Sequence, residues 1–403
     1  MAAARSTQCA IAGGGPAGIM LGLLLARAGI AVTVLEKHAD FFRDFRGDTI
    51  HPSTLEVVHE LGMLEDFLRL PHERVSRLGA QFGTRRLTVA DFSRLPARCK
   101  FIAMMPQWDF LNFLSSRAAA YPTFRLMMET EVTDLVERDG GIAGLRARAP
   151  EGPIELDAEL VVGADGRGSV VRERAGLSVL DLGAPMDVLW FRLSRAAADP
   201  SESMGRFDAG RIFIAIKRDD YWQCGYVIPK DSIEAVRARG LPAFRASIAE
   251  AAPFAQDRTG EIADWNDVKL LTVRVDRLRK WWRDGLLCIG DAAHAMSPIG
   301  GVGINLAIQD AVAAANLLTE PLRAGRVEAR DLRRVQRRRE FPTRLTQALQ
   351  LFLQKRLVRR ALEESAAFEA PLALRLAAGT PGLSRLPARL IGLGVRPEHV
   401  GGR

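Results

Sequence analysis

The stretch Gln8-Cys9-Ala10-Ile11-Ala12-Gly13-Gly14-Gly15-Pro16-Ala17-Gly18 runs into an apolar segment ending near Ala28, and then into Val32-Thr33-Val34-Leu35-Glu36. Short β-branched runs on either side of a glycine turn and a longer apolar run read as strand, turn, helix, strand. The expected bounds are 8–12 for the first strand, 19–28 for the helix and 32–36 for the second strand. The glycines fall in the G-x-G-x-x-G spacing of a dinucleotide fold, at the turn that opens the helix. Gly13 permits the tight turn, Gly15 lets a pyrophosphate reach the backbone, and Gly18 lets helix and strand pack closely. Pro16 and Ala17 complete the cradle at the helix N-terminus, where free N–H groups and the positive end of the helix dipole favour phosphate. Glu36, followed by Lys37, stands at the end of the second strand, about 20 residues after the turn, where a carboxylate accepts from an adenosine ribose. The fingerprint does not distinguish NAD from FAD.

The apolar stretch from Ile11 to Ala26 is broken by glycines and is shorter than the roughly 20 residues a membrane span requires. It is read as part of the βαβ unit. The whole chain has 403 residues, 48% of them hydrophobic and 26% charged, which suits a globular protein of two or three domains. Cys9, Cys99, Cys224 and Cys288 are scattered, with no C-x-x-C pair, so neither a disulfide framework nor a metal site is indicated, and a cytoplasmic setting is expected. The net charge of +8 is concentrated in arginine, densest at Arg333-Arg334 and Arg337-Arg338-Arg339. Glu328, Asp331 and Glu340 interleave that run and no nucleic-acid motif accompanies it, so a solvated helix face is expected and nucleic acid is not. Leu345, Leu349, Leu351, Phe352 and Leu357 beside Arg356, Arg359 and Arg360 allow a peripheral membrane contact, although a helix packed on the cofactor domain is the favoured reading.

Two distant segments narrow the cofactor. Leu160-Val161-Val162-Gly163-Ala164-Asp165-Gly166-Arg167-Gly168-Ser169 reads as a strand broken by an Asp-Gly turn, with Ser169 placed to cap a short helix. Leu286-Leu287-Cys288-Ile289-Gly290-Asp291-Ala292-Ala293-His294 ends a buried strand in a carboxylate suited to a ribityl hydroxyl. Pro298, Gly300, Gly301, Gly303, Ile304 and Asn305 then lead into an Ala-rich helix expected over 304–318, whose N-terminus offers backbone donors.

Together these segments resemble the class A flavoprotein monooxygenases, the p-hydroxybenzoate hydroxylase-like family, from about residue 8 to about 350. The most specific parts are Asp-Gly-x-x-Ser-x-x-Arg at Asp165 and Gly-Asp-Ala-Ala-His-x-x-x-Pro-x-x-Gly-x-Gly-x-Asn at Gly290. Arg46, ahead of a helix expected over 54–64, and Gln107, opening another, match positions that in the family lie against the flavin pyrophosphate and ribityl chain. The resemblance implies FAD, with NADPH or NADH as electron donor, and a small aromatic substrate hydroxylated by dioxygen through a C4a-hydroperoxyflavin. It places Asp165, Gly290, Asp291 and the Pro298–Asn305 segment around the flavin, with Pro298, Gly300 and Gly301 shaping the wall where oxygen reacts. His294 is there a structural residue; as a general base it lacks any partner acid that the sequence names. A reductase, a halogenase-like enzyme and a non-enzymatic flavoprotein are the alternatives. The Trp-x-Trp-x-Ile-Pro pattern of halogenases is approached at Trp222 to Pro229, where the second tryptophan is missing.

The fold class expected is α/β: a Rossmann-like FAD-binding domain, a discontinuous second domain of mainly antiparallel β-sheet, and a C-terminal helical region. The cofactor motifs assign 1–75, 100–178 and 275–325 to the first. The second takes 76–99 and 179–274, with strands over 189–193, 211–217 and 221–228 and with Tyr221, Gln223 and Arg211 as candidate substrate residues. The remainder, 326–403, is expected as helices, with Pro342 in a first turn and a break at Gly379, Pro381 and Gly382.

Overall fold

The structure, a computed structural model, describes residues 5–42, 49–208, 210–358, 361–362 and 385–401. Arg5–Ala12 is a central strand of an eight-stranded sheet, paired in parallel with Val32–Leu35 on one side and Gly152–Gly163 on the other. Phe124–Met127 and Leu286–Cys288 extend the parallel part outward. The first strand begins earlier than its apolar run because Arg5 to Thr7 pair with Leu156 to Ala158, a long-range match that local pattern does not carry. The helix begins at Pro16 and ends at Arg27, since proline's fixed φ suits a first helical position. The helix expected over 54–64 is Pro52–Glu60, and Gly62 turns the chain into a separate Leu64–Leu68 helix.

Register now fixes function's address. Ala12 lies level with Leu35 and Gly163, and Gly163 with Cys288, so four parallel strands end on one edge. Gly13, Glu36, Asp165 and Asp291 therefore emerge together. In open parallel sheets ligands bind beyond that carboxyl edge, where the chain connections diverge.

The second sheet has seven strands in the order Lys269–Leu271, Met186–Ser194, Tyr221–Pro229, Arg211–Lys217, Met204–Asp208, Arg77–Phe82, Arg85–Asp91. All pairings are antiparallel except Met204–Asp208 with Arg77–Phe82. Period-two alternation divides its side chains: Leu189, Phe191, Phe213, Trp222 and Cys224 pack under the outer Leu241–Ala251 helix, while Val188, Trp190, Ile212 and Val227 meet Phe82 and Ile299 on the inner face.

The helical segment Ile299–Arg323, which contains the Gly303–Arg323 helix, is apolar enough to cross a membrane by length and composition, but 78% of its most apolar window is buried inside the protein. It is a core helix, packed on Pro16–Arg27. The next helix, Ala329–Leu353, runs unbroken through Pro342, which was expected in a first turn. Buried Leu332, Val335, Gln336 and Arg339 hold the preceding turns against the core, and that packing outweighs the roughly 3 kcal/mol cost of an interior proline. Gly379, Pro381 and Gly382 lie outside the described residues, and Arg385–Gly392 packs on the Arg85–Asp91 strand.

Candidate functional site

The glycine turn separates into crowded and open positions. Gly13 has φ +103°, and a Cβ there would lie 2.5 Å from the Ala164 carbonyl oxygen; one at Gly18 would lie 2.0 Å from that of Gly13. These two glycines are demanded by the fold. Gly15 is different: a Cβ would meet nothing within 4 Å, and the helix that follows has no side-chain cap. Its first-turn N–H groups face an open cradle flanked by Pro16 and buried Ala17. Glu36 Oε2 accepts from the Gly14 N–H at 2.9 Å and Oε1 from the His38 N–H at 3.1 Å. The carboxylate thus braces the turn from the end of the second strand, while Lys37 is exposed beside it.

The Asp-Gly segment is a built corner. Asp165 Oδ2 accepts from the Val171 N–H at 3.1 Å, and Ser169 caps Val170–Arg174 by accepting from the Arg172 N–H at 3.0 Å. Arg172 turns inward to Asp276, at 3.3 Å, and also donates to the Arg167 carbonyl. Asp165 Oδ1 is buried with no hydrogen-bond partner among the described residues, and burial pushes its carboxyl above the usual range. Asp291 stands across the same edge with its side chain 39% exposed, and Arg167 Nε lies 3.7 Å from Oδ2. Gly290 has φ +59° and packs against Ala17 and Ala307, bringing the Asp291 turn against both helices.

Beyond Asp291, the segment from His294 to Asn305 is fixed from two sides. Gly301 is held by Thr49, whose Oγ1 donates to its carbonyl at 2.7 Å, and Asn305 Oδ1 accepts from the His51 N–H at 3.0 Å and from Thr54 Oγ1 at 2.6 Å. Ile304 and Asn305 are buried. Gly303, the first residue of its helix, leaves open space in front of it, and no side chain caps that N-terminus. Pro298 precedes Ile299–Gly301, with Gly300 and Gly301 both at positive φ. His294 does have a partner acid: its Nε2 donates to Asp310 Oδ2 at 2.6 Å, while Asp310 Oδ1 accepts from Arg339 Nε at 2.9 Å. Asp310 and Arg339 are buried, so the arginine run expected to be a solvated face contributes one member to the core. Burial raises the Asp310 carboxyl, but the charges of His294 and Arg339 outweigh it and hold it below the ordinary value.

On the second sheet, Gln223 lies on the inner face and accepts from Arg218 Nε at 3.2 Å and Nη2 at 3.0 Å; Tyr221 lies on that face too, under the Arg192 guanidinium. Arg211 does not join them. It alternates to the outer face and pairs with Glu250 of the outer helix, which corrects its expected place near the substrate. Gln107 opens the Gln107–Ala118 helix, half-buried, and Arg46 lies outside the described residues.

Comparison with known proteins joins this geometry to a family. Residues 6–348 match the model of an FAD binding domain. A 6-methylpretetramide 4-monooxygenase of Streptomyces rimosus is 34% identical over 95% of this chain and 92% of its own length. The chain belongs to the FAD-dependent aromatic hydroxylase family. A 12-dehydrotetracycline 5-monooxygenase/anhydrotetracycline 6-monooxygenase of Streptomyces rimosus subsp. rimosus is 30% identical over 75% of this chain, which spans only 60% of that protein's length. Among solved structures, the PqsL probable FAD-dependent monooxygenase of Pseudomonas aeruginosa superposes with a TM-score of 0.74 at 23% identity, covering 89% of this chain and 98% of its own. The OxyS anhydrotetracycline hydroxylase of Streptomyces rimosus gives 0.75 at 24%, covering 99% and 78%. At those identities the likeness is one of fold.

The carboxyl edge fits the FAD that this hydroxylase family uses. Open space at Gly15 and Gly303, two uncapped helix N-termini and the orphaned Asp165 oxygen lie where a long dinucleotide requires donors, acceptors and room. Sequence reasoning missed Asp310, Arg339, Thr49 and His51. An arginine in a run of five, and an aspartate in an Ala-rich helix, gave no local sign of burial.

Proposed function

We propose that this FAD-dependent NAD(P)H monooxygenase inserts one oxygen atom into an aromatic compound of the 6-methylpretetramide kind. The reading is carried by one observation, the level carboxyl edge at which Ala12, Leu35, Gly163 and Cys288 end together, each strand followed within three residues by the glycine turn, Glu36, Asp165 or Asp291. It is supported by the 34% identity along 95% of the chain. FAD, when bound, supplies hydride acceptance and dioxygen activation. The chain does the rest. The N–H groups of Gly15 and Ala17 would hold the diphosphate, Glu36 would take the adenosine ribose, and Asp291 would orient the ribityl chain. The uncapped N-terminus of the Gly303–Arg323 helix would offer its positive end to the negative charge of a reduced flavin. Pro298 to Gly301 would form the wall beside the reacting face, and Ile299, packed with the inner face of the second sheet, would keep water out. Tyr221 and Gln223 supply polar contacts for the substrate.

The test is aerobic NAD(P)H consumption by the purified yellow protein, with and without polycyclic phenolic compounds. Consumption stimulated by one of them, with a product one oxygen heavier, is expected. Consumption indifferent to every compound, with no oxygenated product, overturns the reading.

A further inference from the structure

Beyond Leu332 and Val335, the buried face of Ala329–Leu353 is largely polar. Gln336, Gln347 and Gln350 recur along it at helical spacing, joined by Gln354 just beyond its end, and all four are buried. Their amides bond two neighbouring stretches, 276–281 and 295–299, mostly through backbone. Gln336 accepts from the Trp281 N–H at 3.2 Å and donates to the Arg279 carbonyl at 3.1 Å. Gln347 donates to the Asp276 carbonyl at 2.7 Å and the Ala295 carbonyl at 3.0 Å. Gln350 accepts from the Ser297 N–H at 3.1 Å and donates to the Ser297 and Ile299 carbonyls, both at 2.9 Å. Gln354 donates to Ser297 Oγ at 2.7 Å.

The pattern is that of a missing strand. His294–Ala295 pairs with Asp276–Leu278, and the alternate residues Ala295, Ser297 and Ile299 give their carbonyls to glutamines where that pairing ends. A glutamine amide carries both a donor and an acceptor and so can replace a strand neighbour. Gln350 is the last of these attachments that grips backbone before Gly300 and Gly301, which are both at positive φ.

We propose that Gln350 is a positioning residue: its amide sets where the Pro298–Gly301 wall stands against the flavin, and thereby how much of the reducing power reaches the substrate. This rests on the assignment of that wall to the flavin. The variant is Gln350→Met, similar in length but without donor or acceptor. The control is Gln336→Met, on the same seam but bonded to Arg279 and Trp281. Three quantities are read: amide hydrogen exchange over 295–303 with and without FAD, the reduction potential of bound FAD, and hydrogen peroxide released per NAD(P)H oxidised. In Gln350→Met the Ser297 amide should lose protection, the potential should shift, and peroxide release should rise severalfold, while Gln336→Met leaves potential and peroxide at wild-type values. Should Gln350→Met fail to fold, Gln354→Met, which loses only the bond to Ser297 Oγ, should show the same shifts in smaller measure. Lost Ser297 protection with wild-type potential and peroxide release, or equal shifts in the control, overturns the proposal. Absence of FAD-dependent protection over 298–303 in the wild type overturns instead the assignment of the wall.

Discussion

His294 Nε2 lies 2.6 Å from Asp310 Oδ2, with side-chain exposures of 1% and 0%. The same carboxylate oxygen accepts from the Gly290 N–H at 3.1 Å, and its other oxygen from Arg339. One buried charge therefore ties the Gly-Asp turn, the histidine of the motif and the helix beyond Pro298 to the C-terminal helix. Glu398 closes the cluster, bonding Arg338 at 2.8 Å. His294 is thereby a buried structural hub of the Gly-Asp turn.

Removing Asp310 leaves buried Arg339, among the described residues, with only the long 3.5 Å contact to Glu398 for a partner carboxylate. Breaking a buried charged cluster on one side typically costs about 3–5 kcal/mol. Asp310→Ala should lower the urea midpoint accordingly, without changing the m-value. A loss below about 1 kcal/mol would show that the cluster is not acting as a unit.

Acid should act through the same residue. The folded-state pKa of Asp310 lies below its unfolded value, so its stabilisation is full above the unfolded pKa, near 4, and is lost as pH falls through the folded one. Asp165 has the opposite sign: desolvation raises its pKa, so its ionised form weakens the apo-protein at neutral pH. Urea unfolding between pH 7 and pH 3 should therefore show a shallower acid loss in Asp310→Asn than in wild type. Asp165→Asn should stabilise the FAD-free protein at pH 7 and bind FAD more weakly. A destabilised apo-protein in that variant would contradict the orphaned-oxygen account.

How much of this was legible depends on how local each signal is. The glycine turn, the Ser169 cap and the antiparallel strands of the second sheet follow from nearest neighbours and period-two alternation, and they appear where the sequence places them. Arg211 went astray because alternation defines two faces without saying which one looks inward; its partner, Glu250, lies on the next layer. Asp310, Arg339 and the glutamine seam are polar residues whose partners are remote in sequence, so nothing near them announces that they are buried. Pro342 misled in the other direction, since a local rule for helix ends yielded to tertiary packing.

The two kinds of glycine in the first turn separate folding from binding. At Gly15 the backbone is ordinary and a side chain enters empty space, so Gly15→Val should fold with a wild-type circular dichroism spectrum yet purify without FAD. At Gly18 a Cβ collides with the Gly13 carbonyl, so Gly18→Val should lose the fold itself. Stoichiometric FAD in folded Gly15→Val would remove the diphosphate from this turn.

Asp291 offers the cleanest separation of affinity from stability. Its carboxylate is 39% exposed, and the Arg167 contact at 3.7 Å is long, so as a surface pair it contributes about 0–1 kcal/mol to the fold. As a ribityl acceptor it is worth more: a charge-assisted hydrogen bond contributes about 1.5–3 kcal/mol, roughly a ten- to over a hundredfold change in affinity. Asp291→Ala should thus unfold at nearly the wild-type urea concentration while its FAD dissociation constant rises by that factor. Arg167→Gln supplies the reference, because it removes the long ion pair and keeps the carboxylate. If the Asp291–Arg167 pair were the residue's main role, both variants would shift stability equally and neither would shift FAD binding. If Asp291 serves the ribityl chain, only Asp291→Ala weakens FAD, and a fluorescence titration of both apo-variants distinguishes the two.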